Sequence, residues 1–278
     1  MSIQTPAHAG TLSAELRVAA RAAALGGEIL LRYWQQLSAS EIHEKSKGDL
    51  VTAADLHVER VVAEFLQRET PGIAIVCEEG TQVKRDGAVW YIDPLDGTTN
   101  FVQRFPVFAV SIGLAAGGDR TTADLLCGIV FNPVSGDCFY AARGQGSFRN
   151  EQPLRAAAKP RLDDCMLATG FPRRYHDELP SYLREFAAIF PRCRAIRRAG
   201  SAALDLCWTA QGIFDGFWEH RLSPWDIVAG ALIVEEAGGV CSDFDGRRGF
   251  LESGNIVGAG ASIHADLLRE IQRARSQA

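Results

Sequence analysis

The 278-residue chain contains no CxxC pair, no HExxH, no GK dipeptide and no GxGxxG, since Gly144-Gln145-Gly146 extends no further. Those absences exclude a zinc ribbon, a thioredoxin-type redox site, a zincin, a P-loop and a dinucleotide fingerprint. The seven cysteines are odd in number, widely spaced and mostly inside apolar runs, which reads as reduced thiols used as small core side chains. Basic residues are not in excess either: 29 Lys and Arg against 34 Asp and Glu leave a net charge of −5. A mildly acidic chain has no global field to hold a polyphosphate backbone, so no nucleic-acid partner is expected. No apolar run approaches the roughly 20 residues that cross a bilayer, and Met1 to Thr11 lacks the basic and apolar regions of a secretory leader. The expectation is a cytoplasmic protein with no membrane partner. At 47% hydrophobic content the chain is too apolar for disorder and long enough for one large or two modest domains.

What is present is strong periodicity. Leu12, Leu16, Ala19, Ala20, Ala23, Leu30 and Trp34 recur in steps of three and four, predicting a helix from Thr11 to about Leu37. A second helix is predicted from Thr52 to Gln67, with Glu44 to Asp49 as a polar loop between the two. Strands are predicted at Ile73–Cys77, Val89–Ile92, Val107–Leu114, Leu126–Phe131 and Asp137–Ala142. The polar, alanine-rich stretch Arg155 to Asp164 marks a boundary, dividing the chain into 1–154 and 155–278. Beyond it, strands at Met166–Thr169, Ala195–Arg198, Phe214–Trp218, Val240–Ser242 and Ile256–Gly258 alternate with helices at Ser181–Phe190, Ser201–Gln211, Trp225–Ala237 and Ile263–Arg275. The first part reads as α+β and the second as α/β.

Two apolar strands empty into acidic clusters, Glu78-Glu79-Gly80 and Asp93-Pro94-Leu95-Asp96-Gly97. Two carboxylates about 4 Å apart repel by about 4 kcal/mol at an effective dielectric near 20. Gathering four is tolerable only with protons or cations supplied. Hard oxygen donors select Mg²⁺, Ca²⁺ or Mn²⁺, and Mg²⁺ commonly partners substrate phosphates. The amides of Gly97 and Thr98 would suit a phosphate at a helix start. A lone DPxDG equally fits an Asx turn on a solvated edge.

Several motifs in order change that balance. Asp93 to Phe101 followed by Arg104-Phe105-Pro106, then Trp225-Asp226-Ile227-Val228-Ala229-Gly230 leading to Glu235-Glu236-Ala237-Gly238-Gly239, resemble the two signatures of the inositol monophosphatase family. The Glu78-Glu79 pair and the stretch from Lys45 to Asp55 match as well, and the resemblance covers residues 12 to 275. It implies a layered αβαβα sandwich and Mg²⁺-dependent hydrolysis of the phosphate monoester of a small polyol, foremost myo-inositol monophosphate. Two or three Mg²⁺ ions per site and a homodimer are implied with it.

By that resemblance Glu78, Asp93, Asp96, Asp226 and the Leu95 carbonyl are metal ligands, although Asp226 also suits a helix N-terminus through the dipole. Thr98 and Asp55 resemble the pair that orients and deprotonates water, while Thr52 to Asp55 also reads as a capping box. Glu79 is either a carboxylate behind the ligands or a partner of a third metal. Lys45 resembles the mobile-loop lysine, with Lys47 as a substitute because the register needs a one-residue gap. Glu78, Asp93, Gly97, Thr98 and Asp226 would also meet substrate, together with Gly200-Ser201-Ala202, Glu219 and Arg197. A carboxylate at Glu219 favours hydroxyls and repels a second phosphate. Arg197, Arg198, Arg221 and Arg173-Arg174 stand nearby in sequence and equally suit surface charges. Three alternatives stay open: a sister activity (fructose-1,6-bisphosphatase, histidinol-phosphatase, nucleotide 3′-phosphatase or NADP phosphatase), a regulatory protein that uses this fold to bind a partner, and metal-dependent nucleotide binding without turnover.

Overall fold

The computed structural model describes residues 13–36, 38–46, 49–116, 124–172 and 175–276. In chain order its elements are α1 (Ala14–Gln36), β1 (Ile42–Ser46), β2 (Asp49–Thr52), α2 (Ala53–Glu69), β3 (Ala74–Cys77), β4 (Gln82–Val83), β5 (Val89–Asp96) and α3 (Thr98–Val102). Then come β6 (Ala109–Ala116), β7 (Asp124–Asn132), β8 (Asp137–Ala142), β9 (Ser147–Arg149), β10 (Gln152–Pro153) and β11 (Met166–Thr169). The chain continues through α4 (Leu179–Ile189), β12 (Ala195–Arg197), α5 (Ala202–Ala210), β13 (Gly216–Glu219) and α6 (Pro224–Glu236). It ends with β14 (Gly239–Ser242), α7 (Phe250–Ser253), β15 (Ile256–Gly260) and α8 (His264–Arg275).

Two sheets form beside the small β1–β2 hairpin. The larger runs β10-β9-β8-β7-β6-β5-β3-β4, and the smaller β12-β11-β13-β15-β14. Side chains alternate across a strand, and the cores follow that alternation. Trp90 and Ile92 of β5 and Val110 and Ile112 of β6 point to one side, against Leu16 and Leu30 of α1 and Val58 and Leu66 of α2. Tyr91 and Ala109 point to the other, joining Leu204 of α5 and Val228 and Leu232 of α6. That middle layer also receives Ala168, Phe217 and Ile256 from the second sheet. The opposite face of the second sheet buries Leu167, Trp218 and Val257 against Ile189 of α4 and Leu267 and Ile271 of α8. The order is helices, sheet, helices, sheet, helices, which is the layered sandwich that the resemblance implied.

One expectation needs correction. The segment expected to be a polar loop, Glu44 to Asp49, falls within the β1–β2 hairpin, in which Ile42 pairs with Thr52 and His43 with Val51. Its strands are short and mostly polar, so period-two burial gives no signal. The second sheet is mixed: β11 pairs parallel with β12 and β13, whereas β15 runs antiparallel to both β13 and β14.

The middle layer sets the site. α6 is buried almost all round, from Ile227 through Val234, as its unbroken apolar composition requires. It lies unusually close to the large sheet because β6 and β7 present glycines to it. A methyl on Gly113 would come within 2.8 Å of the Ala229 nitrogen, and one on Gly128 within 2.6 Å of the Ala229 Cα. Ser111 of β6 donates its hydroxyl to the Trp225 carbonyl at 3.3 Å. The N-terminus of α6 is thereby pinned over the end of β5.

Candidate metal and phosphate site

Asp93 and Asp96 are three residues apart, so in a regular strand they would face opposite sides of the sheet. Proline lacks the N–H a ladder needs, and a bulge forms at Pro94. Asp93 pairs with Ser111 but Asp96 with Ala109, so three residues of β5 span two of β6. The extra residue brings both carboxylates to the same face. The Leu95 N–H donates to Asp93 Oδ1 at 2.9 Å, closing the turn, and Gly97 follows at φ +95. A side chain there would meet the Val107 carbonyl at 2.9 Å, which leaves glycine as the residue that fits.

Asp226 arrives from α6, where it closes a capping box by accepting the Ser223 N–H at 2.7 Å. Oxygens of Asp93, Asp96 and Asp226 all lie within 4.8 Å of one another. Asp93 and Asp96 are buried. Burial, reinforced by the charges of Glu78, Asp96 and Asp226, holds the Asp93 carboxyl well above the ordinary carboxylate range. Burial likewise pushes Asp96 up to about 6, although hydrogen bonds from Ser201 and Ala203 pull the other way. Those donors belong to the N-terminus of α5: Ser201 Oγ reaches Asp96 Oδ2 at 2.5 Å and the Ala203 N–H at 2.8 Å. A helix start is a natural seat for a carboxylate.

Three hard-oxygen donors crowded in a poorly solvated cluster repel one another and fit a divalent cation of the Mg²⁺ class. Glu78 lines the same cavity and faces Asp93 and Asp96 with its charge, but it stands outside the tight group of three. The loop carrying it is held by a residue that the sequence reading overlooked. Buried Glu59 of α2 accepts the N–H of Glu79 at 2.7 Å and of Thr81 at 2.9 Å. An acid in the middle of an amphipathic helix reads as a solvent-facing charge, so no local pattern marks it.

The Thr98 hydroxyl lies 3.1 Å from the Leu95 carbonyl and 3.3 Å from Asp55 Oδ1. Asp55 Oδ2 meanwhile accepts the Thr52 N–H at 2.8 Å and the Thr52 hydroxyl at 2.6 Å. One oxygen of Asp55 serves the cap of α2 and the other faces Thr98, so the cap and the Thr98 contact share one side chain.

The acidic cluster lines a cavity of about 440 Å³, whose lining also includes Gly200, Ser201, Ala202, Arg198 and Glu219. Burial pushes Glu219 up to about 8, with the Arg198 guanidinium opposing that rise. The structure brings Arg198 to the cavity and not Arg197, whose exposed guanidinium donates to its neighbour, the Ile196 carbonyl, at 3.1 Å. Glu79 is also off the lining. Lys45 falls on β1 with its side chain outside the described part of the structure, and Lys47, Arg173 and Arg174 lie outside the described residues. Asn100 was quoted only as part of a motif. It donates to Val107 at 2.7 Å and to Ala199 at 2.9 Å, tying the α3 turn to the start of α5. The mouth is apolar, with Phe105 and Phe171 about half exposed and Tyr175 stacked under the Arg221 guanidinium at 3.8 Å.

The sequence profile described as the inositol monophosphatase family matches residues 12–277. Nus factor SuhB of Pseudomonas aeruginosa is 41% identical over 263 residues, covering 92% of this chain and 95% of that one. Inositol-1-monophosphatase of Rhizobium meliloti is 39% identical over 263 residues, covering 94% of this chain and 97% of that one. Among solved structures, extragenic suppressor protein suhB from Bartonella henselae superposes with a TM-score of 0.87 at 35% identity, over 94% of this chain and 99% of that chain. No helix among the described residues is long and apolar enough to cross a membrane.

Proposed function

The chain belongs to the inositol monophosphatase family and is a phosphoric monoester hydrolase, and we propose that its substrate is the phosphate monoester of a small polyol, foremost myo-inositol monophosphate. The observation that carries this reading is the convergence of Asp93, Asp96 and Asp226 within 4.8 Å beside a Thr98–Asp55 pair. Asp93, Asp96, Asp226, Glu78 and the Leu95 carbonyl would hold Mg²⁺, two or three ions per site. Bound there, Mg²⁺ supplies a lowered pKa for the attacking water and charge stabilisation for the leaving alkoxide.

The chain's own groups do the rest. A hydroxyl has one proton and two acceptors here, so engagement of the Leu95 carbonyl elsewhere turns the Thr98 proton onto Asp55 Oδ1. The Thr98 oxygen then accepts from water and orients it, and as the water's proton passes to Thr98 the hydroxyl proton passes to Asp55 Oδ1. Backbone amides at Gly97 and Thr98 receive the phosphate. Gly200, Ser201, Ala202 and Glu219 face the alcohol half, and Glu219 accepts its hydroxyls. Arg198, opposite Glu219, takes the part that the sequence reading assigned to Arg197.

The test is a panel of Mg²⁺-dependent kcat/KM values for myo-inositol 1-phosphate, fructose 1,6-bisphosphate, histidinol phosphate, nucleoside 3′-phosphates and NADP. Highest kcat/KM on the inositol ester is expected. Preference for the bisphosphate overturns the reading of Glu219, and no released phosphate from any compound overturns the hydrolase reading. A cytoplasmic homodimer completes the proposal, with sedimentation equilibrium as its check. The relative named Nus factor SuhB favours a second reading in which the chain also acts by binding a partner. If so, Asp93→Asn removes hydrolysis and leaves that cellular function intact.

A further inference from the structure

We propose that Gly170 is a specificity-determining position: the missing side chain at the end of β11 lets the Glu219 carboxylate fold back over that strand and stand in the cavity wall. The proposal rests on the reading above, in which Glu219 meets substrate hydroxyls. β11 and β13 run parallel, with Leu167 beside Gly216, Ala168 beside Phe217 and Thr169 beside Trp218. The next step in that register sets Gly170 beside Glu219. Neighbours in register point to the same face of a sheet, one strand spacing apart. A side chain at 170 would therefore rise into the space that the Glu219 side chain fills. A methyl built on Gly170 overlaps the Glu219 carboxyl carbon and both of its oxygens.

Backbone conformation does not explain the glycine. Gly170 is not among the glycines at positive φ, so its main chain accepts any L residue, and alanine would cost less chain entropy there. The position is buried, so solubility does not explain it either. Space for Glu219 does. Any larger residue pushes the carboxylate away from β11 toward the substrate volume and off the alignment with Arg198. Gly170 thus acts as a positioning residue for hydroxyl recognition, without touching substrate.

The experiment is a double-mutant cycle on the full chain: wild type, Gly170→Ala, Glu219→Ala and the double variant. Two readouts are taken, kcat and KM for myo-inositol 1-phosphate and p-nitrophenyl phosphate in Mg²⁺, and Tm in EDTA. In the wild-type background, Gly170→Ala is expected to lower the ratio of kcat/KM for the inositol ester over the nitrophenyl ester by about tenfold, through KM. It is also expected to lower Tm. In the Glu219→Ala background the same substitution moves neither quantity, because the overlapping carboxylate is gone. Equal losses in both backgrounds, or no loss in the wild type, overturn the proposal. If wild type hydrolyses neither ester, the hydrolase reading has failed, and the Tm cycle alone decides the packing claim. If Gly170→Ala does not fold, a folded double variant supports the contact and an unfolded one refutes it.

Discussion

Replacing Asp96 with asparagine should abolish hydrolysis and yet strengthen the metal-free fold, by an amount that depends on pH. Asp96 lies at about 6 against an ordinary 3.8, chiefly through burial. A folded value above the unfolded one means that the native state holds the proton more tightly, so stability is lost as pH rises between the two. The cost is absent below about pH 4 and complete above about pH 6. A displacement of about two pH units corresponds to about 3 kcal/mol. Asparagine keeps an oxygen for the Ser201 hydroxyl and Ala203 N–H, so those bonds survive. Its amide nitrogen replaces the oxygen turned toward the neighbouring acids with a donor. The expected gain is up to about 3 kcal/mol in EDTA at pH 8 and close to zero at pH 4. Urea denaturation of both proteins at pH 4, 6 and 8 measures it. Mg²⁺ at about a thousand times Kd should reverse the order, because wild type then gains about 4.1 kcal/mol. A uniform loss at every pH would refute the argument and make Asp96 a structural residue.

Thr98→Ala should lower kcat by about two to four orders of magnitude with little change in KM, and Thr98→Ser should restore most of it; steady-state kinetics decides. Glu59→Ala leaves the half-buried N–H groups of Glu79 and Thr81 without their acceptor, so about 1–2 kcal/mol of stability should go. Calorimetric Mg²⁺ titration of that variant should show weaker binding, since the loop carrying Glu78 loses its clamp. Glu219 sits at about 8, so it ionises as pH rises through that value and becomes the stronger acceptor. KM for inositol phosphate, relative to p-nitrophenyl phosphate, should then fall severalfold from pH 7 to 9 in wild type and stay flat in Glu219→Gln. Gly128→Val would drive a side chain into Ala229 and should cost about 1–3 kcal/mol by denaturation, with loss of Mg²⁺ affinity as α6 and Asp226 shift.

The chemistry of the site was more legible than its geometry. Asp93 and Asp96 stood out because two apolar strands empty into acidic clusters, and Asp226 only through the family resemblance. Asp55 could be read twice, as a cap and as a base, and its two oxygens divide between the cap of α2 and Thr98. The five layers came from the family resemblance, and alternation and helical period account for them in the structure, since each strand buries side chains on both faces. Three things stayed hidden, and each is a relation that only the folded chain shows. Glu59 is polar on a helix whose other buried residues, apart from Asp55 at the cap, are apolar, so only its contact with the Glu79 and Thr81 amides reveals its role. Arg197 and Arg198 differ by one step along an extended backbone, and that step sends the side chain to the other side. No pattern in the local sequence says which of them faces the cavity. The β5 bulge is the third case, and it bears most on function. Spacing alone puts Asp93 and Asp96 on opposite faces of a strand. Proline between them, with no N–H to give the ladder, is what makes an odd spacing behave as an even one. The DPxDG motif therefore encodes a strand defect, and the defect is the device that gathers the charges.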